Sequence, residues 1–199
     1  MTAILKVDTI QDTSGNNIIN ESSDTITIGA SGDTTNIVGT LQNNGSALAS
    51  GITMADQWRM TSNITSNQSP ITNVEQVDNA AQGTLGSAMT QSSGIFTFPE
   101  TGIYRVTFSA YGATSGSDNV GLELYVSTDG GSNYTNTAQC YDGNDSSHSI
   151  SMYCETFVDV TDTSLVKVKF DITSVSSATI YGSTSLNNTV MTFIRLGDT

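Results

Sequence analysis

Within residues 52–199, apolar and polar residues alternate in short runs. Leu122, Leu124 and Val126 fall on one face of such a run, with Glu123 and Tyr125 on the other. Val166, Val168 and Phe170 oppose Lys167 and Lys169 in the same way. A period of two sends successive side chains to opposite sides of a strand, so each run predicts one buried face and one wet face. Turn chemistry separates the runs: "ATSGSDN" follows "IYRVTFSAYG", "DGGSN" follows "VGLELYVST", and "DGNDSSH" divides "YTNTAQCY" from "SISMYCETFVDV". "LVKVKFDI", "ATIYGST" and "TVMTFIRLGD" complete the series. A helical period persists nowhere. The pattern predicts an all-β fold of antiparallel sheets packed face to face.

Before residue 52 the pattern differs. All fourteen aromatic residues (one Trp, seven Tyr, six Phe) lie at or after Trp58. Without rings, residues 1–42 have little with which to build a core of their own. They do contain an echo: "DTIQDTSGNNII" at 8–19 and "DTITIGASGDTTNIV" at 24–38. Both open Asp-Thr-Ile, pass through Ser-Gly and end in a β-branched pair, Ile18-Ile19 and Ile37-Val38. Short strands repeated around a Gly turn suit a β-rich shaft. Three copies of Ile10, Ile18, Ile19, Ile26, Ile28, Ile37 and Val38 around one axis would bury what a single chain cannot. Each such side chain contributes about 1.5–3 kcal/mol. The expected organisation is a β-rich shaft at 1–42, ordered only when packed against copies of itself or a partner, a linker at 43–51 and a head at 52–199. The linker, "NNGSALASG", shows neither alternation nor core residues.

Charge narrows the partners. Six basic residues stand against nineteen acidic ones, a net charge of −13. Lys6, Arg59, Arg105, Lys167, Lys169 and Arg195 are scattered, so no cluster offers the counterion displacement that nucleic-acid binding needs. An anionic membrane is equally unsuited. The N-terminus "MTAILKVDTIQD" has no apolar run of signal-peptide length, which predicts synthesis in the cytoplasm. For Cys140 and Cys154, a hairpin centred near Ser147 would place them opposite one another. Reduced, buried thiols are the first expectation there and a late-forming disulfide the alternative.

The stretch "GIFTFPETGIYRVTF", residues 94–108, joins two aromatic-rich strands through Pro-x-x-Gly. Pro99 presets a turn and Gly102 has conformations closed to other residues, so Phe96, Phe98, Tyr104 and Phe108 can point inward from a sharp structural corner. On Gly94, Phe96, Phe98, Pro99, Gly102, Tyr104 and Phe108, with Asn79 upstream and a terminal apolar strand, residues 52–199 resemble a known family. It is the trimeric jelly-roll head shared by complement component 1q and the tumour necrosis factor superfamily. Val106 stands where that family usually has an aromatic, and no collagen stalk precedes the head. "LKVDTIQDTSGNNI" and "ITIGASGDTTNIVGTL" resemble segments of tail-fibre and other virion proteins of tailed bacteriophages. Together the resemblances imply an antiparallel jelly-roll sandwich, a homotrimer, and a virion-anchoring shaft at 1–42 that is ordered only in the trimer or the virion and docks on other virion proteins.

Candidate chemistry is sparse. His148, the only histidine, lies in a serine-rich loop, and a triad with Asp142 or Asp145 would lack a Gly-x-Ser-x-Gly elbow. Asp142, Asn144 and Asp145 space oxygen ligands somewhat as a calcium loop does, but no later bidentate Glu follows; calcium is the one ion this spacing suggests, and no cofactor is expected. The expectation is a non-enzymatic phage structural protein, a homotrimeric tail fibre or spike of the virion whose head recognises a glycan or protein on the host surface. Loops 114–119, 129–134 and 142–148 would supply Asp118, Asn119, Asp129, Asn133, Tyr134, Tyr141, Asp142, Asn144, Asp145 and His148. Tyr134 and Tyr141 would stack on sugars while Asn and Asp meet hydroxyls. The alternative is a capsid or tail decoration fibre with a purely structural role.

Overall fold

A computed structural model describes residues 51–199 throughout and, before them, residues 9–11, 13, 17–22, 25–28, 32, 34–39, 41–43 and 46–47. No helix occurs among the described residues. The chain divides into two compact units, 1–49 and 50–199.

In the first unit, β1 (Thr9–Gln11), β2 (Asn17–Ser22) and β3 (Thr25–Ile28) form an antiparallel sheet in that order. Its register sets Ile10 opposite Ile19, Ile19 opposite Ile28, and Ile26 opposite Glu21. One face therefore carries four isoleucines, and all four are exposed in the single chain. Ile37 and Val38 lie outside the strands and are also exposed, while the side chain of Ile18 is outside the described residues. A short ladder, β4 (Gln42–Asn43) with β5 (Ser46–Ala47), begins at the last residue of the expected shaft and runs into the segment expected as linker.

The second unit is a two-layer sandwich. Its strands are β6 (Met54–Met60), β7 (Val74–Gln76), β8 (Thr90–Ser92), β9 (Ile95–Thr97), β10 (Gly102–Thr114), β11 (Asp118–Ser127), β12 (Thr135–Asn144), β13 (His148–Val160), β14 (Lys167–Thr173), β15 (Ala178–Ile180) and β16 (Val190–Gly197). One sheet has the order β13-β10-β16-β6-β7, with β15 also on β10; the other has β12-β11-β14-β9-β8. Every pairing is antiparallel. This is a jelly roll: consecutive strands from β9 to β14 repeatedly cross between layers, so six of the nine ladders join residues far apart in sequence.

Alternation decides the core. Leu122, Leu124, Val168, Phe170, Val106 and Phe108 all turn inward and are essentially inaccessible. Rings dominate the centre, with Phe108 and Phe170 centroids 5.1 Å apart and Phe96 and Phe193 5.3 Å apart. The Pro-x-x-Gly stretch carries the chain from β9 in one sheet to β10 in the other. All four of its aromatics are buried, and the Tyr104 hydroxyl donates to the Glu100 carbonyl at 2.9 Å. At Gly102, φ is +143° and an added Cβ would lie 2.5 Å from the Gly197 carbonyl oxygen, so only glycine fits this corner.

One buried carboxylate organises the loops at the β6–β7 side. Asp56, 1% exposed, accepts from the backbone of Gln57 and Met89 and from the side chains of Trp58, Gln76 and Thr84. The expected hairpin around Ser147 does not form as a ladder: β12 and β13 are edge strands of opposing sheets, paired to β11 and β10. The two thiols nevertheless meet across the gap between the sheets, as hydrogen-bond partners, and both are free.

Candidate functional site

The outer sides of the two sheets are chemically different. On the sheet built around β11, the outward positions of β12, β11 and β14 form three rows. These are Tyr141–Gly121–Thr173, Gln139–Glu123–Asp171 and Asn136–Tyr125–Lys169. Glu123, at the centre, accepts from the hydroxyls of Tyr141 at 2.5 Å, Tyr125 at 2.6 Å and Thr173 at 3.2 Å. Burial opposes its ionisation, but the Tyr125, Tyr141 and Thr173 hydrogen bonds, with Lys169 nearby, outweigh burial and hold its carboxyl below the ordinary value. The bond to Glu123, with burial behind it, pushes Tyr125 up to about 12.

Lys169 Nζ donates to Asp171 Oδ2 at 2.8 Å and lies 4.4 Å from the Tyr125 ring centre and 5.5 Å from that of Tyr134. The ammonium is thus held by a carboxylate and two ring faces. Asp171 is buried, and its Oδ1 has no hydrogen-bond partner. The Tyr141 ring crosses over Gly121: an added Cβ there would lie 2.4 Å from Cε1 and 2.7 Å from Cζ. A glycine in mid-strand leaves a gap in the face, and the neighbouring ring fills it.

The other sheet carries an outward face of different character. Tyr111, Tyr153, Phe157 and Leu196 are exposed there, with Val190 and Ile194 half-buried between them. Arg105 sits opposite both Phe157 and Ile194, and its Nε donates to Glu155 Oε2 at 2.9 Å while Nη2 donates to the Tyr153 hydroxyl at 3.0 Å. Rings and aliphatics around one ion pair form an exposed apolar group on this face.

The loops expected to bind do not converge. Those at 115–117 and 145–147 meet at one end, where Thr114 Oγ1 donates to the Ser146 carbonyl. The 128–134 turn is at the other end, where Gly130 N donates to the Leu165 carbonyl. Asp118 is buried and accepts from the backbone of Asn119, Ser176 and Ser177; these bonds outweigh burial and hold its carboxyl at about 2. Asp129 ties its own turn together through Ser127 and Asn133. Asn119, Asn133, Asp145 and His148 are exposed, and Asp142 accepts from Ser151 N at 3.4 Å. The side chain of Asn144 lies outside the described residues. Of the expected contacts, Tyr134 and Tyr141 belong to the tyrosine-rich face. Among the described residues, no three His, Cys, Asp or Glu side chains are grouped to hold a metal ion.

Comparison with solved structures gives many significant matches. An Eiger TNF from S. frugiperda matches with TM-score 0.54 at 11% identity, covering 75% of this chain and 96% of that one. Murine APRIL at pH 5.0 matches with TM-score 0.55 at 13% identity, covering 72% and 98%. The head has a tumour-necrosis-factor-like jelly-roll fold. No protein-family model and no curated protein matches the sequence significantly.

Reading the sequence alone missed Glu123, Lys169 and Asp171 as one group, and Phe157 with Tyr153 as another. Alternation does mark their faces, since each lies opposite a buried neighbour. What it omits is that β11 pairs with β14, and β10 with β13, across long stretches of chain.

Proposed function

We propose that the protein is a non-enzymatic, homotrimeric fibre or spike of a tailed-bacteriophage virion, made in the host cytoplasm, whose N-terminal segment docks on other virion proteins and whose head meets the host surface. The observation that carries assembly is the exposed face of Tyr111, Tyr153, Phe157 and Leu196 on a jelly-roll head. An apolar face of this kind is costly to leave in water. A neighbouring copy is its fitting occupant: around a threefold axis this face meets a different surface of the next copy, a heterologous contact that closes after three, and the Arg105–Glu155 charges on it are already neutralised against each other. The isoleucine face of the N-terminal sheet supports association as well, since it too is unburied in one chain.

Recognition is supported by the second, polar face. With the apolar side of the sandwich taken by neighbouring copies, the Tyr141–Glu123–Lys169 side looks outward, displayed three times. Purified protein added to sensitive cells tests this: it should block adsorption of the particle in a dose-dependent way. A trimer that binds particles but never blocks adsorption would replace host recognition with a decoration role.

A further inference from the structure

We propose that the outer face around Tyr141 binds a neutral hexose unit of a surface glycan, with the Tyr141 ring as its stacking platform. The inference deepens the recognition reading above and rests on it. Its basis is geometric. The Tyr141 ring crosses Gly121 closely enough that any side chain there would collide with it, and yet it remains 45% exposed. One side of the ring is therefore backed by strand β11 and the other is open. The hydroxyl bond to Glu123 at 2.5 Å fixes the ring in place, so binding freezes little side-chain freedom. A fixed aromatic surface suits the C–H face of a pyranose.

The surroundings suit its hydroxyls. Gln139 and Asn136 are exposed on the same face, and Asn136 Nδ2 donates to Gln139 Oε1 at 2.9 Å. Each amide keeps free donors or acceptors for a polyol. No aliphatic side chain occupies the three rows of this face, which therefore lacks the apolar centre that a protein partner would bury. Charge decides between sugar classes. Lys169, the one cation in the three rows, is already committed to Asp171, and Lys167, one row further along β14, donates to Thr97 and to the Thr163 carbonyl, while Glu123 stays ionised and the chain carries a net charge of −13. An acidic sugar would meet repulsion; a neutral one would not.

The test uses the full chain on an array of neutral hexose oligosaccharides (glucans, mannans, galactans) beside uronic-acid and sialic-acid oligosaccharides. Binding is expected on neutral members only. Tyr141→Ala should weaken it at least about tenfold, a stacking loss multiplied over three sites, with the far-UV spectrum unchanged. Tyr141→Phe, which keeps the ring, should retain most of it. Binding confined to acidic sugars, or binding indifferent to Tyr141→Ala, overturns the inference. A protein that blocks particle adsorption but binds no neutral hexose overturns this inference alone. One that fails to block adsorption while still binding neutral hexose through Tyr141 overturns the host-recognition reading instead.

Discussion

Replacing Phe157 by Ser removes the most exposed ring of the apolar face while leaving the core untouched. Phe157 is 66% exposed in the single chain. A phenylalanine buries about 150–250 Å² when enclosed, which leaves about 100–165 Å² for a neighbour to cover. At about 25 cal/mol per Å², that coverage stabilises each interface by about 2.5–4 kcal/mol. A trimer has three such interfaces, so the variant loses about 7–12 kcal/mol of assembly free energy. The concentration of half-assembly varies as the square root of the trimer dissociation constant. It should rise at least about a hundredfold. Sedimentation velocity over a dilution series reads this directly, and a urea titration of the dissociated protein should show the fold itself little changed. The control is Phe108→Ala, inside the sandwich, which should lower folding stability by about 3–5 kcal/mol. If Phe157→Ser assembles at the same concentration as the unmodified protein, the face is not the interface.

Three further outcomes follow from buried groups. Asp56→Ala strands the Trp58 indole and Met89 backbone donors, each costing about 1–3 kcal/mol, so denaturant titration should show a loss above about 2 kcal/mol; a loss within error would contradict the assigned role. Asp118 ionises at about 2 in the folded chain against an ordinary 3.8. Its contribution to stability is therefore full above about pH 4 and is lost as pH falls toward 2. Asp118→Asn should flatten that part of the stability–pH profile, and an unchanged slope would refute the assignment. Burial pushes Cys154 up to about 12 and raises Cys140 as well. Both should alkylate far more slowly than a free thiol at pH 8 until urea is added, as read by mass spectrometry; full alkylation of the native protein would contradict this.

The sequence made the strand faces legible because one side of each strand is wet. Leu122 and Leu124 inside with Glu123 and Tyr125 outside is a local fact of spacing, and β11 follows it. The Pro99–Gly102 corner was legible for the same reason: a turn is local chemistry. The grouping around Glu123 was not. Tyr141, Glu123 and Lys169 become neighbours only when β12, β11 and β14 pair, and alternation contains no register between strands so far apart. Loops looked like the natural contact surface because Asp, Asn and Gly gather there. Asp118 and Asp129 instead spend their oxygens on the turns themselves. Cys140 and Cys154 show the same limit: their meeting was readable, but that they meet from two different sheets was not.

The central claim is that three copies assemble, and the native mass of the full chain by light scattering tests it most directly. One chain is 20.9 kDa, so the account predicts three times that, about 63 kDa, constant on dilution through the micromolar range. A mass of one chain under the same conditions would contradict it, and the faces of Phe157 and of the N-terminal isoleucines would then need another partner.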